Sequence, residues 1–447
     1  MVQAPSMKMS VVGCGYLGAV HAAAMAELGH EVIGVEVDPE RAAGLAAGSS
    51  PFYEPGLDEM LSRVLASGRL RITSDIADAS EATIHFLCVG TPQTHGHNSA
   101  DLTYVESAVE SILSIVKPGD VVVGKSTVPV GTAVGIAERI HQVAPGATLI
   151  WNPEFLREGL AIEDTLRPDR VVMGIGALPE DERARDILVS AYAGILAGGT
   201  PLEITNYPTA ELVKVAANAF LATKISFINA MADLCELAGA DVTQLADAIG
   251  HDARIGRRFL NAGLGFGGGC LPKDIRAFMH RALELGAADT LTFLREVDII
   301  NVGRREKAVD EVREWLDGDL LGRRIAVLGA AFKPDSDDIR DSPALAVAEM
   351  LHLAGADVVV TDPRAIRHAQ RLSPALTFAA TPDEAAEGAD IVLLLTEWRE
   401  YVELDPVLLA KRVHTPRIFD CRNALNAAAW VDAGWEYRCL GRPLAGA

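Results

Sequence analysis

The first half of the chain alternates short apolar runs with amphipathic stretches. The apolar runs lie at residues 9–13, 31–37, 83–89, 120–124 and 148–151. Helical patterns such as Tyr16–Leu28, which ends at Gly29, separate them. Nearly continuous apolar strands that alternate with helices indicate a parallel sheet covered on both faces. The pattern therefore predicts a doubly wound α/β domain that extends to about residue 200.

A different pattern begins at residue 209. The segment 209–240 has no Gly or Pro before Gly239, is rich in Ala and Leu, and is apolar around most of its circumference. A helix of this character needs burial on several sides. We therefore predict one long helix, placed between domains or subunits, within an all-helical middle section that ends near residue 315.

The α/β alternation resumes at Arg323. The runs RRIAVLGAAF, DVVVTDP, ADIVLLLTEW and PRIFDCRN repeat the order and spacing of the N-terminal runs. The sequence therefore predicts an α/β protein with two Rossmann-like doubly wound domains, joined by a helical middle domain with one long helix. We place the domains at 1–205, 206–315 and 316–447.

Composition and charge exclude several classes of protein. The 447 residues contain 40 Lys and Arg against 61 Asp and Glu, a formal net charge of −21, so we expect no binding to nucleic acid or to anionic lipid. The six cysteines show neither C-x-x-C nor zinc-like spacing, and we expect no metal site. Without a signal-peptide pattern or an uncharged apolar run of about 20 residues, we expect a cytoplasmic protein that does not bind a membrane.

The motif Gly13-Cys14-Gly15-Tyr16-Leu17-Gly18 follows a predicted strand and opens a predicted helix. Its glycines permit a tight turn, and the helix N-terminus offers N–H groups to a pyrophosphate. Glu36 closes the next strand, where a carboxylate binds an adenosine ribose and repels a 2′-phosphate. The motif therefore predicts NAD as the cofactor, and the nearby Arg41 keeps NADP open as the alternative.

The stretch GFGGGCLPKD, at residues 265–274, is the most unusual of the chain. Its four glycines let the backbone approach a bulky group closely, and Pro272 is placed to start a helix. A cysteine at a helix N-terminus beside a lysine is in principle an activated nucleophile. We therefore interpret Cys270 as the reactive thiol and the other five cysteines as small buried hydrophobic residues.

Polar side chains suited to catalysis occur at two further places. Lys214 and Asn218 are spaced i, i+4 on the predicted long helix, above an apolar stripe. A buried ammonium beside an amide can stabilise a developing oxyanion. Glu154 follows the predicted strand at 148–151, at the edge where parallel sheets place their sites.

Six segments together resemble the UDP-glucose/GDP-mannose dehydrogenase family over roughly residues 8–430. They are GCGYLG (13–18), STVPVGT (126–132), NPEFLREG (152–159), Lys214 with Asn218, FGGGCLPKD (266–274) and AFKPDSDDIRDSP (331–343). Members of this family have an NAD-binding domain, a helical dimerising middle and a UDP-binding C-terminal domain. They oxidise a sugar CH2OH group to a carboxylate with two NAD in succession. The resemblance implies that residues 1–205 bind NAD, that residues 206–315 form the helical dimerising domain and that residues 316–447 bind UDP. It also implies a homodimer formed through the long helix.

The resemblance also implies roles for individual residues. Cys270 is the implied nucleophile that traps the aldehyde and becomes the thioester. Lys214, Asn218 and Asp274 are implied to assist at the oxyanion and the hydrolytic water, and Glu154 is an implied general base that acts through a water held by Thr127. The residues implied in cofactor binding are Gly13, Gly15, Tyr16, Leu17, Gly18, Glu36, Arg41, Thr91, Thr127, Glu158, Lys273 and Arg340. Those implied in substrate binding are Glu154, Phe155, Leu156, Arg157, Lys214, Asn218, Phe259, Leu260, Asn261, Ala262, Gly263, Gly267 and Lys333.

The substrate is less sharply indicated than the reaction. The forms FGGGCLPKD and RPDRVVMG (167–174) are closer to the UDP-glucose branch of the family than to its amino-sugar dehydrogenases. We therefore expect UDP-glucose, with GDP-mannose or another nucleotide sugar as the alternative because those branches share NPEFLRE and CLPKD-like motifs. A catalytically silent sensor of NAD or a nucleotide sugar is an alternative of a different class, and the intact catalytic positions count against it.

Overall fold

The computed structural model describes residues 6–443 of the chain. It contains two compact units, Met1–Ala217 and Asn218–Ala447. Each unit contains one β-sheet. The sheets confirm the predicted α/β class, with its two doubly wound domains.

The strands of the described residues are short, at two to five residues each. They are β1 (Lys8–Val12), β2 (Glu31–Val35), β3 (Leu70–Thr73), β4 (Ile84–Leu87), β5 (Val121–Gly124), β6 (Thr148–Trp151), β7 (Val171–Ile175), β8 (Leu202–Asn206), β9 (Arg324–Leu328), β10 (Asp357–Thr361), β11 (Thr377–Phe378), β12 (Ile391–Leu394), β13 (Arg417–Asp420) and β14 (Glu436–Cys439).

Helices separate most of these strands. They are α1 (Tyr16–Glu27), α2 (Pro39–Ala46), α3 (Leu57–Ala66), α4 (Thr103–Leu113), α5 (Thr132–Val143), α6 (Ala161–Leu166), α7 (Pro179–Ala191), α8 (Ala193–Leu196), α9 (Tyr207–Ala238), α10 (Val242–Gly250), α11 (Leu271–Glu284), α12 (Thr292–Trp315), α13 (Pro343–Leu353), α14 (Ile366–Leu372), α15 (Pro382–Ala386), α16 (Arg399–Val402), α17 (Pro406–Leu409) and α18 (Ala427–Asp432). Single 3₁₀ turns lie at Ile76–Ala79 and Ala288–Leu291.

The sheet of the first unit has the strand order β3-β2-β1-β4-β5-β6-β7-β8. Its first six strands run parallel, and β7 pairs with β6 in the antiparallel direction. Every residue of β4, β5 and β6 is buried, as expected for central strands that helices cover on both faces. The chain order reverses between β1 and β4, where such sheets open a crevice at the carboxyl ends of their strands.

The sheet of the second unit has the order β11-β10-β9-β12-β13-β14, and all its strands are parallel. This order matches that of the first six strands of the other sheet, from β3 to β6. The four runs that the sequence analysis paired with the N-terminal runs form β9, β10, β12 and β13. The repeat that the sequence analysis found in the apolar runs is therefore visible as a repeated strand order.

The long helix predicted at 209–240 is α9, which begins at Tyr207 and ends at Ala238. Among residues 6–443 it is the one helix long and apolar enough to cross a membrane, by length and composition only. Of its most apolar 18-residue window, 44% is buried inside the protein, as is common for core helices. Ala222, Ile228 and Ala232 are among its buried residues.

Candidate active site

A glycine-rich turn joins β1 to α1 in the first unit. Gly13 has a φ of +86°, a left-handed conformation that favours glycine. A Cβ on Gly18 would lie 1.8 Å from the carbonyl oxygen of Gly13, so only glycine allows the turn to close on the helix. A Cβ on Gly15 would meet nothing within 4 Å, because this position faces open space.

The N-terminus of α1 suits a pyrophosphate. Gly15 is its N-cap residue, makes no side-chain cap, and is followed by no acidic residue in the first turn. The N–H groups of such a helix start are unsatisfied donors with a favourable dipole. Residues 13–18 therefore fit the diphosphate of a dinucleotide such as NAD.

Glu36 lies directly after β2 and is 5% exposed. Its two carboxylate oxygens accept one hydrogen bond each, from the N–H of Cys14 at 3.1 Å and from the N–H of Asp38 at 3.1 Å. A carboxylate can accept about four hydrogen bonds, so it retains capacity for the hydroxyls of a ribose. Arg41 approaches Asp38 at 3.7 Å, and both side chains are exposed to solvent.

Thr91 and Thr127, both implied in cofactor binding, contact each other. They follow β4 and β5 at the carboxyl edge of the sheet. The hydroxyl of Thr91 donates to the carbonyl oxygen of Thr127 at 2.7 Å. The two loops that flank the crevice are therefore linked to one another.

Tyr16 connects the glycine turn to the loop after β6. Its hydroxyl donates to the buried carboxylate of Glu54, which also accepts the N–H groups of Gly159 and Ala161 at 2.7 Å each. Burial and this hydrogen bond raise the pKa of Tyr16. The Tyr16 ring packs on Phe52 at a centroid distance of 4.5 Å. Glu158, implied in cofactor binding, is half-buried in the same loop.

Glu154 and Lys214 form an ion pair within the first unit. The Lys214 Nζ atom donates to Oε1 of Glu154 at 3.1 Å, and the two side chains are only 5% and 14% exposed. The second oxygen of Glu154 accepts the N–H of Leu156 at 2.6 Å. The predicted buried ammonium is present, with a carboxylate as its partner.

The neighbouring residues Phe155 and Arg157 have their own partners. The guanidinium of Arg170 stacks on the Phe155 ring at 3.7 Å. The guanidinium of Arg157 binds both oxygens of Asp164, at 2.8 and 2.5 Å. These contacts fix the loop that carries Glu154.

A cavity of about 50 Å³ lies beside Glu154, within the first unit. Its polar lining residues are His21, Lys125, Asn152, Glu154, Asp164, Thr165, Arg170 and Tyr192, with Leu17, Phe155 and Leu156 among the apolar ones. Burial lowers the pKa of Lys125 and of Arg170. The cavity therefore contains two desolvated cations next to the candidate base.

In the second unit, Asn218 and Asp274 are in contact. The amide of Asn218 donates to Oδ2 of Asp274 at 2.6 Å, and Lys273 donates to Oδ1 at 2.5 Å. Asp274 is 2% exposed, so its charge is compensated inside the protein. Cys270 is the N-cap residue of α11 and is solvent-exposed. Asn218 of α9 thus meets Lys273 and Asp274, which lie in the first turn of the helix that follows Cys270.

The cysteines of the two Rossmann-like domains contrast with Cys270. Burial raises the pKa of Cys88 to about 12 and of Cys439 to about 11. It also raises the pKa of Cys14 and Cys421, both fully buried. These thiols are therefore protonated at neutral pH.

The glycine run before Cys270 packs against a loop of the second unit. A Cβ on Gly267 would lie 2.3 Å from the carbonyl oxygen of Asp341, and one on Gly268 would lie 2.8 Å from the Phe332 ring. A Cβ on Gly269 would lie 2.2 Å from Cζ of Arg340. The bulky neighbours expected from the sequence are thus residues 332–341 of the chain itself.

The segment 259–263, implied in substrate binding, is held by several buried contacts. Phe259 has a φ of +65°, which is rare for a large residue. Leu260 and Ala262 are buried in a small core under α9 and α10. The N–H of Gly263 donates to Oδ1 of Asn229 at 2.9 Å. Asn261 is exposed, and its Oδ1 atom accepts from the guanidinium of Arg257 at 2.7 Å.

Lys333 and Arg340, the implied ligand contacts of the third domain, lie in the loop before α13. The Nζ atom of Lys333 is 5.4 Å from the centre of the Phe332 ring. The guanidinium of Arg340 binds both oxygens of Asp338, at 2.7 to 3.0 Å. Both residues belong to the loop that packs on the glycine run.

The structure also reveals residues that the sequence analysis missed. Glu54 and Lys125 are buried and contact the loop after β6, and Arg304 donates to the carbonyl oxygen of Gly263 at 3.0 Å. A signal existed for Lys125, because it directly follows a buried strand at the carboxyl edge of the sheet. Glu54 and Arg304 lie far along the chain from their partners, and no local pattern marks them.

Comparison with known families matches the chain in three consecutive segments. All belong to the UDP-glucose/GDP-mannose dehydrogenase family: its NAD binding domain at residues 7–193, its central domain at 208–302 and its UDP binding domain at 326–427.

Individual relatives cover nearly the whole chain. A UDP-glucose 6-dehydrogenase of Rhizobium meliloti is 43% identical over 98% of this chain and 100% of its own length. The structure of a UDP-glucose dehydrogenase from Pyrobaculum islandicum matches with a TM-score of 0.87 and 38% identity, over 96% of this chain and 97% of that one. A UDP-D-ManNAc dehydrogenase from Pyrococcus horikoshii matches with a TM-score of 0.84 and 26% identity, over 98% and 99%.

Proposed function

Because the chain belongs to the UDP-glucose/GDP-mannose dehydrogenase family, we propose that it oxidises the 6-hydroxymethyl group of UDP-glucose to the carboxylate. The overall reaction converts UDP-glucose, two NAD and water into UDP-glucuronate and two NADH. The identity of 38–43% to relatives named for UDP-glucose, against 26% to one named for an amino sugar, supports this substrate.

NAD is the cofactor, and when bound it accepts a hydride in each of the two oxidation steps. The turn at 13–18 and Glu36 would hold it, and the carboxylate of Glu36 selects against a 2′-phosphate. Arg41, which lies in a solvent-exposed ion pair with Asp38, is a further proposed contact near the ribose. Thr91, Thr127 and Glu158 are the further proposed contacts in the first domain, with Lys273 and Arg340 in the rest of the chain.

The observation that carries the proposed mechanism is the Asn218–Asp274–Lys273 contact in the first turn after Cys270. The thiolate of Cys270 adds to the carbon of the aldehyde and forms a thiohemiacetal. Loss of the hydroxyl proton and of a second hydride, for which bound NAD would be the acceptor, would turn this adduct into a thioester, which water hydrolyses to the acid and the free Cys270 thiol. A thiolate suits both steps because it is a good nucleophile and a workable leaving group. The tether also prevents release of the aldehyde.

The remaining catalytic residues act on protons and charge. One N–H of Asn218 donates to Asp274, and we propose that the other donates to the oxyanion of the adduct. The ammonium of Lys214 stabilises the same developing charge. Glu154 is the general base and acts through a water held by Thr127. Asp274 orients the hydrolytic water.

The substrate contacts are proposed from the family resemblance. Residues 154–157 and 259–263 are proposed to line the sugar and nucleotide, together with Gly267 and Lys333. The buried side chains of Leu260 and Ala262 leave only their backbone groups for such contacts. We propose domain boundaries at 205/206 and 315/316 and a cytoplasmic location.

We further propose that the chain forms a homodimer through α9. Phe220, Phe227 and Leu234 are 67%, 49% and 56% exposed, and their seven-residue spacing places them on one stripe of the helix. An exposed apolar stripe of this length is typical of a protein interface. Light scattering should give a dimer for the wild type and a monomer for a Phe220→Glu/Phe227→Glu variant.

A substrate panel tests the proposed function. UDP-glucose, UDP-galactose, GDP-mannose and UDP-N-acetylamino sugars are each incubated with the protein and NAD, and NADH is followed by absorbance. We expect the highest kcat/KM with UDP-glucose. A higher value with GDP-mannose or an amino sugar would reassign the substrate, and no NADH with any sugar would indicate a silent sensor.

A further inference from the structure

Lys125 is a buried lysine to which the proposed reaction assigns no role. It directly follows β5 and is only 7% exposed. Its Nζ atom donates to Oδ1 of Asn152 at 3.0 Å and to the carbonyl oxygen of the same residue at 3.4 Å. These are two acceptors for three N–H groups. Burial lowers the pKa of Lys125, while the nearby groups of Cys88 and Glu154 act in the opposite direction.

Asn152 transmits the position of Lys125 to the candidate base. Its Oδ1 atom also accepts from the hydroxyl of Tyr192 at 2.8 Å, and its Nδ2 atom donates to the carbonyl oxygen of Val172 at 2.7 Å. The side chain is therefore fixed at both ends. Pro153 limits the backbone that follows, and Glu154 is the next residue. The Lys125–Asn152 contact thus fixes the backbone position from which the Glu154 side chain extends.

His21 faces the same cavity as Lys125. It is 2% exposed, and its Nε2 atom has no hydrogen-bonding partner among residues 6–443. Burial, followed by the charge of Lys125, lowers the pKa of His21, so the ring is neutral at neutral pH. A buried polar nitrogen without a partner is costly unless water reaches it. The cavity of about 50 Å³ has room for about three waters.

We propose that Lys125 is a positioning residue for the reaction, and that ordered water in this cavity bridges its ammonium to His21. The water accepts the third N–H of Lys125 and satisfies the Nε2 atom of His21. The ammonium thereby stays hydrogen-bonded to Asn152. This contact holds Glu154 in the position where it forms its ion pair with Lys214. This inference rests on the proposed role of Glu154 as general base.

The charges around Glu154 support this arrangement. Lys214 reaches the carboxylate from α9, and Lys125, at the end of β5, lines the same cavity as Glu154. Arg170 stacks on the adjacent Phe155 ring, while the remaining acid of the cavity, Asp164, is bound by Arg157. Buried cations need hydrogen-bonding partners to stay in a protein interior. Water in the cavity supplies them where side chains do not.

A lysine exchange tests the positioning role. Lys125→Met keeps an unbranched side chain as far as Cε and removes the ammonium, and Lys117→Met, at an exposed site before β5, is the matched control. We expect kcat with UDP-glucose and NAD to fall about 100-fold in Lys125→Met, with both KM values within about threefold of wild type. Lys117→Met should match the wild type. Wild-type kcat in Lys125→Met would overturn the proposal.

Chemical rescue separates the charge from the packing. Lys125→Ala lacks three carbons and the amine, which together equal n-propylamine. We expect n-propylamine to raise the kcat of Lys125→Ala at least about tenfold. We expect n-propanol, which has the same size but no charge, to leave this kcat unchanged. Equal rescue by the two compounds would overturn a role for the ammonium. Because both arms use one variant, its stability cancels from the comparison.

A high-resolution crystal structure of the wild type tests the water directly, whatever the variants do. We expect density within about 3.2 Å of both Nζ of Lys125 and Nε2 of His21. An empty cavity would overturn the bridge. If the wild type forms no NADH, the proposed function fails, and the crystal structure still shows whether water bridges Lys125 and His21. If the wild type is active and Lys125→Met is unaffected, this inference alone fails.

Discussion

The two Rossmann-like domains share a strand order but treat the turn after their first strand differently. After β1 the chain needs only three residues to begin α1, and the helix start at Gly15 makes no side-chain cap. After β9 the chain forms a long loop before α13, whose start is capped by the hydroxyl of Ser342. The first domain leaves its helix N-terminus without a side-chain cap, whereas the second caps its helix with its own Ser342.

The acidic residue after the second strand shows the same contrast. Glu36 accepts two backbone N–H groups through separate oxygens. Asp362 occupies the equivalent position after β10. One of its carboxylate oxygens accepts hydrogen bonds from the N–H groups of Ala330 and Ala331 and from the indole N–H of Trp398. Its other oxygen accepts the N–H groups of Arg364 and Ala365. Both oxygens of the Asp362 carboxylate are therefore occupied by hydrogen bonds from its own domain.

This comparison shows that strand order alone does not select a dinucleotide. Both sheets place a turn at the same point, and the donors and acceptors that the chain leaves unused decide what can bind there. The first domain therefore binds NAD, and the second does not offer the same free groups. In the proposed reaction, both oxidations of one sugar would therefore use a single NAD site per chain.

The largest expected effect concerns the thiols. The cysteines of both Rossmann-like domains are held protonated by their raised pKa values, whereas Cys270 is exposed and outside both sheets. At pH 7.5, iodoacetamide should alkylate Cys270 on the order of 10³-fold faster than Cys88, and UDP-glucose should protect it. Because thiolate forms as pH rises toward the pKa, Cys439 should react before Cys88 at alkaline pH. Mass spectrometry of timed samples measures each rate; early labelling of Cys14 or Cys88 would contradict the assignment.

The next effect tests the open helix N-terminus. Gly15→Ala introduces the methyl group that Ala331 carries in the second domain. The φ of Gly15 is −67°, so alanine fits without strain, and the melting temperature should hold. Because the methyl group occupies the space in front of the helix, kcat/KM for NAD should fall about 100-fold. Ala331→Gly is the control and should leave cofactor kinetics unchanged. Equal kinetics in the two variants would remove the distinction between the domains.

A smaller effect is expected from the two acidic residues. Glu36→Ala removes the group that binds ribose and repels a 2′-phosphate. The ratio of kcat/KM with NAD to kcat/KM with NADP should therefore fall about tenfold. Asp362→Ala should leave this preference unchanged and lower the free energy of unfolding by about 3 kcal/mol, since it strands buried N–H groups. Steady-state kinetics with both cofactors and denaturant titration measure the two outcomes. A wild type that uses NAD and NADP equally would contradict the role of Glu36.

Much of this architecture could be predicted from the chain because its signals are local. Apolar runs marked β1, β2, β4, β5 and β6, and the absence of helix breakers marked α9. The glycine turn and Glu36 were found because the spacing between strand, turn and carboxylate is itself a short-range pattern. The glycine run and helix start already indicated Cys270 as a reactive thiol, and the resemblance to a family added its role as nucleophile and the contribution of Asp274.

Other parts of the site could not be predicted because they depend on distant contacts. Glu54 binds Gly159 across more than a hundred residues, and nothing near it in the sequence marks that partner. The role of Lys125 became visible only with Asn152 and the cavity in place. The glycine run was expected to approach a bulky group, but which group, the loop that contains Phe332, required the fold.

The central claim is that one NAD site serves two oxidations while Cys270 holds the sugar. The most direct test is the yield of NADH from a limiting amount of UDP-glucose with excess NAD. An enzyme that stops at the aldehyde makes one NADH per sugar, whereas the tethered scheme makes two. We predict two NADH and one UDP-glucuronate per UDP-glucose in the wild type, with no UDP-glucuronate from Cys270→Ala. One NADH per sugar, with free aldehyde in solution, would contradict the account.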